Sequence, residues 1–174
     1  MPPHGLMRKT GSNIVLIGMP GSGKSTVGVI LAKQMSCGFV DTDLLIQSSQ
    51  GRTLQEIIDT DGHLALRRVE EEIIIGLSCC NNVIATGGSA PYSDSAMNHL
   101  KSKGTVIFLD VDLPTLESRI DDFKTRGIAK RSDQSFADLF HERFALYNNH
   151  ADITINCAGL TQEGVCAVIM SELM

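Results

Sequence analysis

Ile14-Val15-Leu16-Ile17-Gly18-Met19-Pro20-Gly21-Ser22-Gly23-Lys24-Ser25-Thr26 is the stretch that decides how this chain folds. Four consecutive aliphatic residues make a strand with no polar face, as in a sheet covered on both sides. They run straight into G-x-x-x-x-G-K-[ST], and a helical pattern follows from Val27 to Met35. Glycines at Gly18, Gly21 and Gly23 let the backbone wrap closely round an anion, so that successive N–H groups point inward at its oxygens. The helix that follows presents its positive end to the same place. In this arrangement Gly21, Ser22, Gly23 and Thr26 form the loop, Lys24 reaches the β- and γ-phosphates, and the Ser25 hydroxyl ligates Mg²⁺. A glycine-rich turn that binds nothing explains neither the Lys-Ser pair nor its place between strand and helix. The stretch reads as a nucleoside triphosphate site.

The rest of the composition bounds what surrounds that site. The chain has 174 residues, 43% hydrophobic and 20% charged, an ordinary globular balance for one domain. Residues 1–12 hold two prolines and no apolar core, and read as a flexible lead-in to a domain over 13–174. A net charge of -5 points away from nucleic acid, so cations matter singly and locally. The longest apolar runs are too short to span a bilayer. Five cysteines without metal-type spacing read as reduced thiols of a cytoplasmic protein.

Strand and helix patterns alternate along the whole chain. Strands are expected near 14–17, 38–43, 83–86, 105–111 and 153–155. Helices are expected between them, near 44–50, 53–58, 63–77, 93–102, 113–120, 136–148 and 161–173. That alternation predicts an α/β fold with a parallel sheet covered on both faces. Ligands in such sheets sit beyond the carboxyl ends of the strands. Gly18, Asp41, Asp43, Gly87 and Gly88 all fall just past predicted strand ends, and are expected to share one cleft.

Phosphoryl transfer asks a protein to position two substrates and neutralise developing charge. Asp41 and Asp43, two apart at a strand end, would leave the same face. One can lie near Mg²⁺ while the other meets an acceptor hydroxyl; alternatively the pair is a solvated turn. Arg67 and Glu70 are three apart on a helix and can pair. From spacing alone a surface ion pair is the simpler reading. The alternative is a guanidinium oriented by Glu70 toward a substrate carboxylate. Gly87-Gly88 is either a plain turn or a place where backbone N–H groups meet an anionic acceptor. Residues 121–135 are long for a loop and carry Lys124, Arg126, Lys130 and Arg131, which suits a lid over phosphates. Arg143 and Tyr147 are one helical turn apart, on a solvated face or on a face turned to that cleft.

Taken in order, these motifs resemble the shikimate kinase family of small nucleoside-monophosphate-kinase-like proteins, from about Ile14 to the end. The resemblance implies a three-layer α/β/α P-loop kinase fold with a central five-stranded parallel sheet. It also implies a helical substrate-binding region at about 41–70 and a mobile lid at about 121–135. D-T-D stands intact as Asp41-Thr42-Asp43, which implies Asp41 near Mg²⁺ and Asp43 on the acceptor hydroxyls as catalytic base. F-R-x-x-E appears as Leu66-Arg67-x-x-Glu70, and R-x-x-L-Y as Arg143 to Tyr147, which implies that Arg67 and Arg143 hold the acceptor carboxylate. Gly87-Gly88-Ser89 stands for the glycine triplet on the substrate side. Arg126 occupies the position of the lid arginine that contacts phosphate, and Arg119 that of the arginine on adenine. The implied reaction is Mg²⁺-dependent transfer of the ATP γ-phosphoryl to the 3-hydroxyl of shikimate, by a monomer with no nucleic-acid or membrane partner.

The departures from the family pattern lie on the acceptor side and in the lid. Leu66 and Ile58 stand where aromatic residues wall the pocket, Ser89 replaces the third glycine, and Pro91 follows. The lid reads Arg126-Gly127-Ile128-Ala129, and His63 stands in place of a glutamate. Two other readings use the same loop: a kinase of another small hydroxy compound, homoserine- or gluconate-like, and a non-catalytic nucleotide-binding regulator. Retention of Lys24, Ser25, Asp43, Arg67 and Arg143 separates the enzyme readings from the regulator.

Overall fold

The computed structural model describes residues 12–120 and 126–174. The first part of the expected lid, with Lys124, and nearly all of the expected lead-in lie outside the described residues. Within them five parallel strands form one sheet in the order β2-β3-β1-β4-β5. These are β1 (Asn13–Ile17), β2 (Gly38–Asp41), β3 (Asn82–Ala85), β4 (Gly104–Asp110) and β5 (Ile153–Asn156). β1 lies at the centre, paired with β3 through Ile14–Val83 and with β4 through Ile14–Thr105. All five of its residues are buried, so the aliphatic run at 14–17 is the middle of the core.

The helices cover both faces, giving the three-layer α/β/α arrangement. They are α1 (Lys24–Gln34), α2 (Thr42–Gln50), α3 (Leu54–Asp61), α4 (His63–Ile75), α5 (Asp94–Lys103), α6 (Leu113–Arg119), α7 (Phe136–His150) and α8 (Gln162–Leu173). α1 packs on β1, β2 and β3 and against α8, while α5 and α7 pack on β4 and α4 leans on α5. The main core therefore follows the sheet. A second, smaller apolar cluster of Ile46, Ile57, Leu66 and Ala129 joins α2, α3 and α4 to the described part of the expected lid.

Most boundaries fall within two or three residues of expectation, and two differences shape the site. β2 stops at Asp41, and Thr42 and Asp43 already belong to α2. The Asp41 carboxylate accepts from the N–H groups of Asp43 and Leu44, which caps α2. Aspartate is among the best residues for that task, and here the cap overrides continuation of the strand. A short 3-10 turn at Ala90–Tyr92, unforeseen, carries the chain from β3 toward α5.

Candidate active site

Beyond the carboxyl ends of the strands lies a cleft of about 440 Å³. One end is the phosphate loop. Gly21 and Gly23 take φ of 84° and 93°, backbone conformations that glycine adopts without a side-chain clash. Gly23 is the N-cap of α1 and offers no side chain to its first turn. Those first amides are left to a ligand. Lys24 is buried, and its ammonium lies back on the loop, donating to the carbonyls of Gly18 (2.8 Å) and Met19 (2.9 Å). Burial holds its pKa down to about 8, against partial compensation from the acids nearby, Asp43 first among them. Ser22 is buried beside the ammonium, at 3.4 Å. Thr26 is exposed at the rim.

The Ser25 hydroxyl donates to Asp41 Oδ2 at 2.6 Å. A hydroxyl and a carboxylate held together beside a phosphate loop fit Mg²⁺, which keeps waters and binds through one or two carboxylates plus substrate phosphates. Among the described residues no group of three or more His, Cys, Asp or Glu could hold a metal ion. Arg119, at the end of α6, donates to the Gly21 carbonyl at 3.2 Å, and exposed Arg126 stands next to it. Both border the cleft.

The other end of the cleft is built from α2, α4, α7 and the Gly87–Ser89 turn. Asp43 projects into it from the first turn of α2, not from a strand as its spacing suggested. Burial raises its carboxyl to about 6, partly offset by Lys24. Glu70 is fully buried, and burial together with Asp43 pushes its carboxyl to about 7. A Cβ on Gly87 would fall on Glu70 Oε1 and within 2.8 Å of Asp43 Oδ1, so a side chain there would have to push the two acids aside. The Gly87 N–H is committed to the Thr42 hydroxyl at 3.0 Å, which removes it from the donors expected for an anion.

Arg143 and Tyr147 turn inward from α7 and are among the most buried large side chains, so the solvated-face reading fails. Arg143 packs on Gly88, where a Cβ would lie 2.7 Å from Nη1, and the Tyr147 hydroxyl donates to the Gly88 carbonyl at 2.6 Å. Arg143 also donates to the Ala129 carbonyl at 2.6 Å, and Arg67 approaches the same oxygen at 3.4 Å. The Arg67–Glu70 ion pair read from their spacing does not form. Arg67 instead stacks on Tyr92, 3.6 Å above the ring, and borders a second cavity of about 300 Å³ that shares Glu70 and Ser89 with the cleft. Glu70 takes a hydrogen bond from Ser89. Leu66 lines the cleft, whereas Ile58 packs on the small apolar cluster beside it.

Sequence reasoning missed Tyr92, since a lone aromatic after a proline carries no signal. It also missed Ala129, which acts through its carbonyl, and the Ser89–Glu70 bond, which joins residues far apart in the chain.

The family model for shikimate kinase matches residues 20–174. The chain belongs to the shikimate kinase family. It is 38% identical to the shikimate kinase of Rippkaea orientalis over 167 residues, covering 94% of this chain and 87% of that one. To the shikimate kinase of Aquifex aeolicus it is 35% identical over 159 residues, covering 91% and 94%. Among solved structures, the shikimate kinase of Acinetobacter baumannii in complex with shikimate superposes with a TM-score of 0.86 at 30% identity, covering 93% of this chain and 92% of that one. The match spans both ends of the cleft, so the phosphate loop and the acceptor side belong to one shikimate kinase architecture. Among the described residues no helix is long and apolar enough to cross a membrane.

Proposed function

We propose that this chain transfers the γ-phosphoryl group of ATP to the 3-hydroxyl of shikimate, giving shikimate 3-phosphate. The observation that carries the reading is the cleft itself. It holds a phosphate loop at one end, and at the other a raised carboxyl (Asp43) and a buried arginine (Arg143) that donates to a neutral main-chain carbonyl. Shikimate is a ring bearing one carboxylate and several hydroxyls, and needs that donor and acceptor set.

In this reading the loop amides from Gly21 to Thr26 and the Lys24 ammonium hold the β- and γ-phosphates. Lys24 then exchanges its loop carbonyls for phosphate oxygens, which are better partners for a buried cation. Ser25 and Asp41 would hold Mg²⁺, whose bound charge neutralises the phosphates. Asp43 accepts the proton of the attacking hydroxyl. A carboxyl lifted to about 6 is still mostly ionised at neutral pH and is a stronger base than an ordinary aspartate. Arg143 and Arg67 hold the shikimate carboxylate, taking it in place of the Ala129 carbonyl that they share. Arg126 approaches the transferring phosphoryl from the lid, and Arg119 flanks the adenine. The domain over 13–174 works as one unit with its acceptor region at about 41–70, and the protein acts as a monomer in the cytoplasm.

The test is ATP-dependent ADP release with shikimate, against a panel that includes homoserine and gluconate. Shikimate is expected to be the preferred acceptor by at least about a hundredfold in kcat/KM, the size of penalty for leaving buried charged donors unpaired. Equal turnover of another member of the panel overturns the acceptor assignment. ATP binding without turnover of any of them favours the regulator.

A further inference from the structure

Arg126 is exposed, and the hydrogen bond from its Nη2 to the Arg119 carbonyl is 3.5 Å long, near the limit for such a bond. The backbone beside it is held better. The Gly127 N–H donates to Gln55 Oε1 on α3 at 3.1 Å. The Gln55 amide is itself oriented by Asp59, one helical turn on, whose carboxylate accepts from Nε2 at 2.8 Å. An N–H can only donate and a carboxylate only accept, so these two partners fix which end of the amide faces which. Gly127 takes a φ of 64°, and a Cβ on it would fall on Leu54 Cβ and lie 3.0 Å from the Gln55 nitrogen. Glycine therefore lets the segment lie directly on the first turn of α3. The next two residues, Ile128 and Ala129, are buried.

We propose that Gln55 is a positioning residue: through the Gly127 N–H it anchors the backbone beside Arg126 to α3, and so aims the Arg126 guanidinium at the phosphate end of the cleft. The kinetic half of this rests on the functional reading above, in which Arg126 meets the transferring phosphoryl group. The Gly127 N–H belongs to the same peptide plane as the Arg126 carbonyl, so a bond to one fixes the other. Arg126 and Leu54 line the cleft, whereas Gln55 does not. Gln55 therefore acts on the reaction through the segment it holds, without touching a substrate. Without its carbonyl the peptide plane turns freely, and Arg126 spends less of its time facing the phosphates.

Gln55→Ala tests this, alone and in an Arg126→Ala background, read as the single-turnover rate of phosphoryl transfer to shikimate, which product release does not limit. In the native background the substitution lowers that rate roughly fivefold, the worth of one neutral hydrogen bond, with KM for shikimate within about twofold. In the Arg126→Ala background it changes the rate less than about twofold, the non-additivity that marks action through a shared partner. The swap Gln55→Glu with Asp59→Asn keeps an acceptor for Gly127 and a bond between the two side chains, and brings the rate back to within about twofold of native. Hydrogen exchange at the Gly127 amide, which needs no turnover, is expected to speed up at least about threefold in Gln55→Ala. Unchanged exchange overturns the proposal, as does an equal loss of rate in both backgrounds or a swap that restores nothing. Absence of shikimate turnover in the native enzyme overturns the functional reading and the kinetic half with it. The exchange measurement still decides whether Gln55 anchors the segment.

Discussion

Lys24 and Glu70 are two of the buried charged side chains that line the cleft, and each gives a measurable consequence. Lys24 is the only side-chain cation in the loop, and its ammonium already lies within reach of where phosphates sit. Lys24→Ala is expected to lower kcat by roughly 10²- to 10³-fold, the usual cost of removing one electrostatic stabiliser of a transition state. Coupled ADP release checks it, and a loss smaller than tenfold would mean that another cation serves the phosphates. Glu70 tells on stability. Its carboxyl is raised from 4.5 to about 7 by burial and by Asp43, so the folded state binds this proton more tightly than the unfolded chain. The favourable contribution is complete below about 4.5 and is lost as pH rises through 7. Glu70→Gln removes that titration. Urea melts at pH 5 and pH 7.5 should show the native protein losing roughly 1–3 kcal/mol more than the variant between them. Equal losses would show that Glu70 does not titrate there. The raised carboxyl was not legible in the sequence, since R-x-x-E predicts a paired acid. Its hydrogen-bond donor in the structure is Ser89, which follows β3.

At the level of elements, α2 shows how one residue serves fold and site together. Asp41 caps α2 through one oxygen and takes the Ser25 hydroxyl on the other. The two duties can be separated, because asparagine caps a helix about as well as aspartate but brings no charge. Asp41→Asn is expected to keep the melting temperature within about 2 °C and to raise the Mg²⁺ concentration needed for half-maximal activity roughly tenfold. Asp41→Ala should show the same Mg²⁺ defect and also lose about 1 kcal/mol of stability, a drop of roughly 2–4 °C. Thermal melts and Mg²⁺ titrations of both variants check this; an unchanged Mg²⁺ requirement removes Asp41 from the metal site. The sequence expected Asp41 and Asp43 to share the cleft; Asp43 lines it, whereas Asp41 meets it only through the Ser25 hydroxyl. Strand alternation suggested a shared face, but the cap ends the strand and the first turn of α2 aims Asp43. Elements with long periodic patterns, such as α7 and α8, were legible to within a residue or two. The 3-10 turn at Ala90–Tyr92 was not, being three residues held by local turns rather than by a pattern.

Across the whole molecule, the cleft joins the large core under the sheet to the small cluster of Ile46, Ile57, Leu66 and Ala129. The middle of the sheet was readable because β1, β3 and β4 carry continuous apolar runs, and the phosphate loop because its chemistry is local. The acceptor end was readable only in part. Arg143 and Arg67 come from separate helices, and their convergence on the Ala129 carbonyl is set by how α4, α7 and the end of the lid pack. That convergence makes a prediction about the molecule as a unit. Two guanidiniums share one neutral carbonyl, so a carboxylate in its place stabilises the fold without any nucleotide present. At a concentration about a hundred times its dissociation constant, shikimate should add roughly 2.7 kcal/mol and raise the melting temperature by about 5–10 °C. The methyl ester of shikimate, which keeps the ring hydroxyls and loses the charge, should give less than half of that rise at the same concentration. Arg67→Ala should bring the acid down to the level of the ester. Equal shifts for acid and ester in the native protein would place the binding energy on the hydroxyls at Asp43, leaving the two arginines to hold the lid through Ala129.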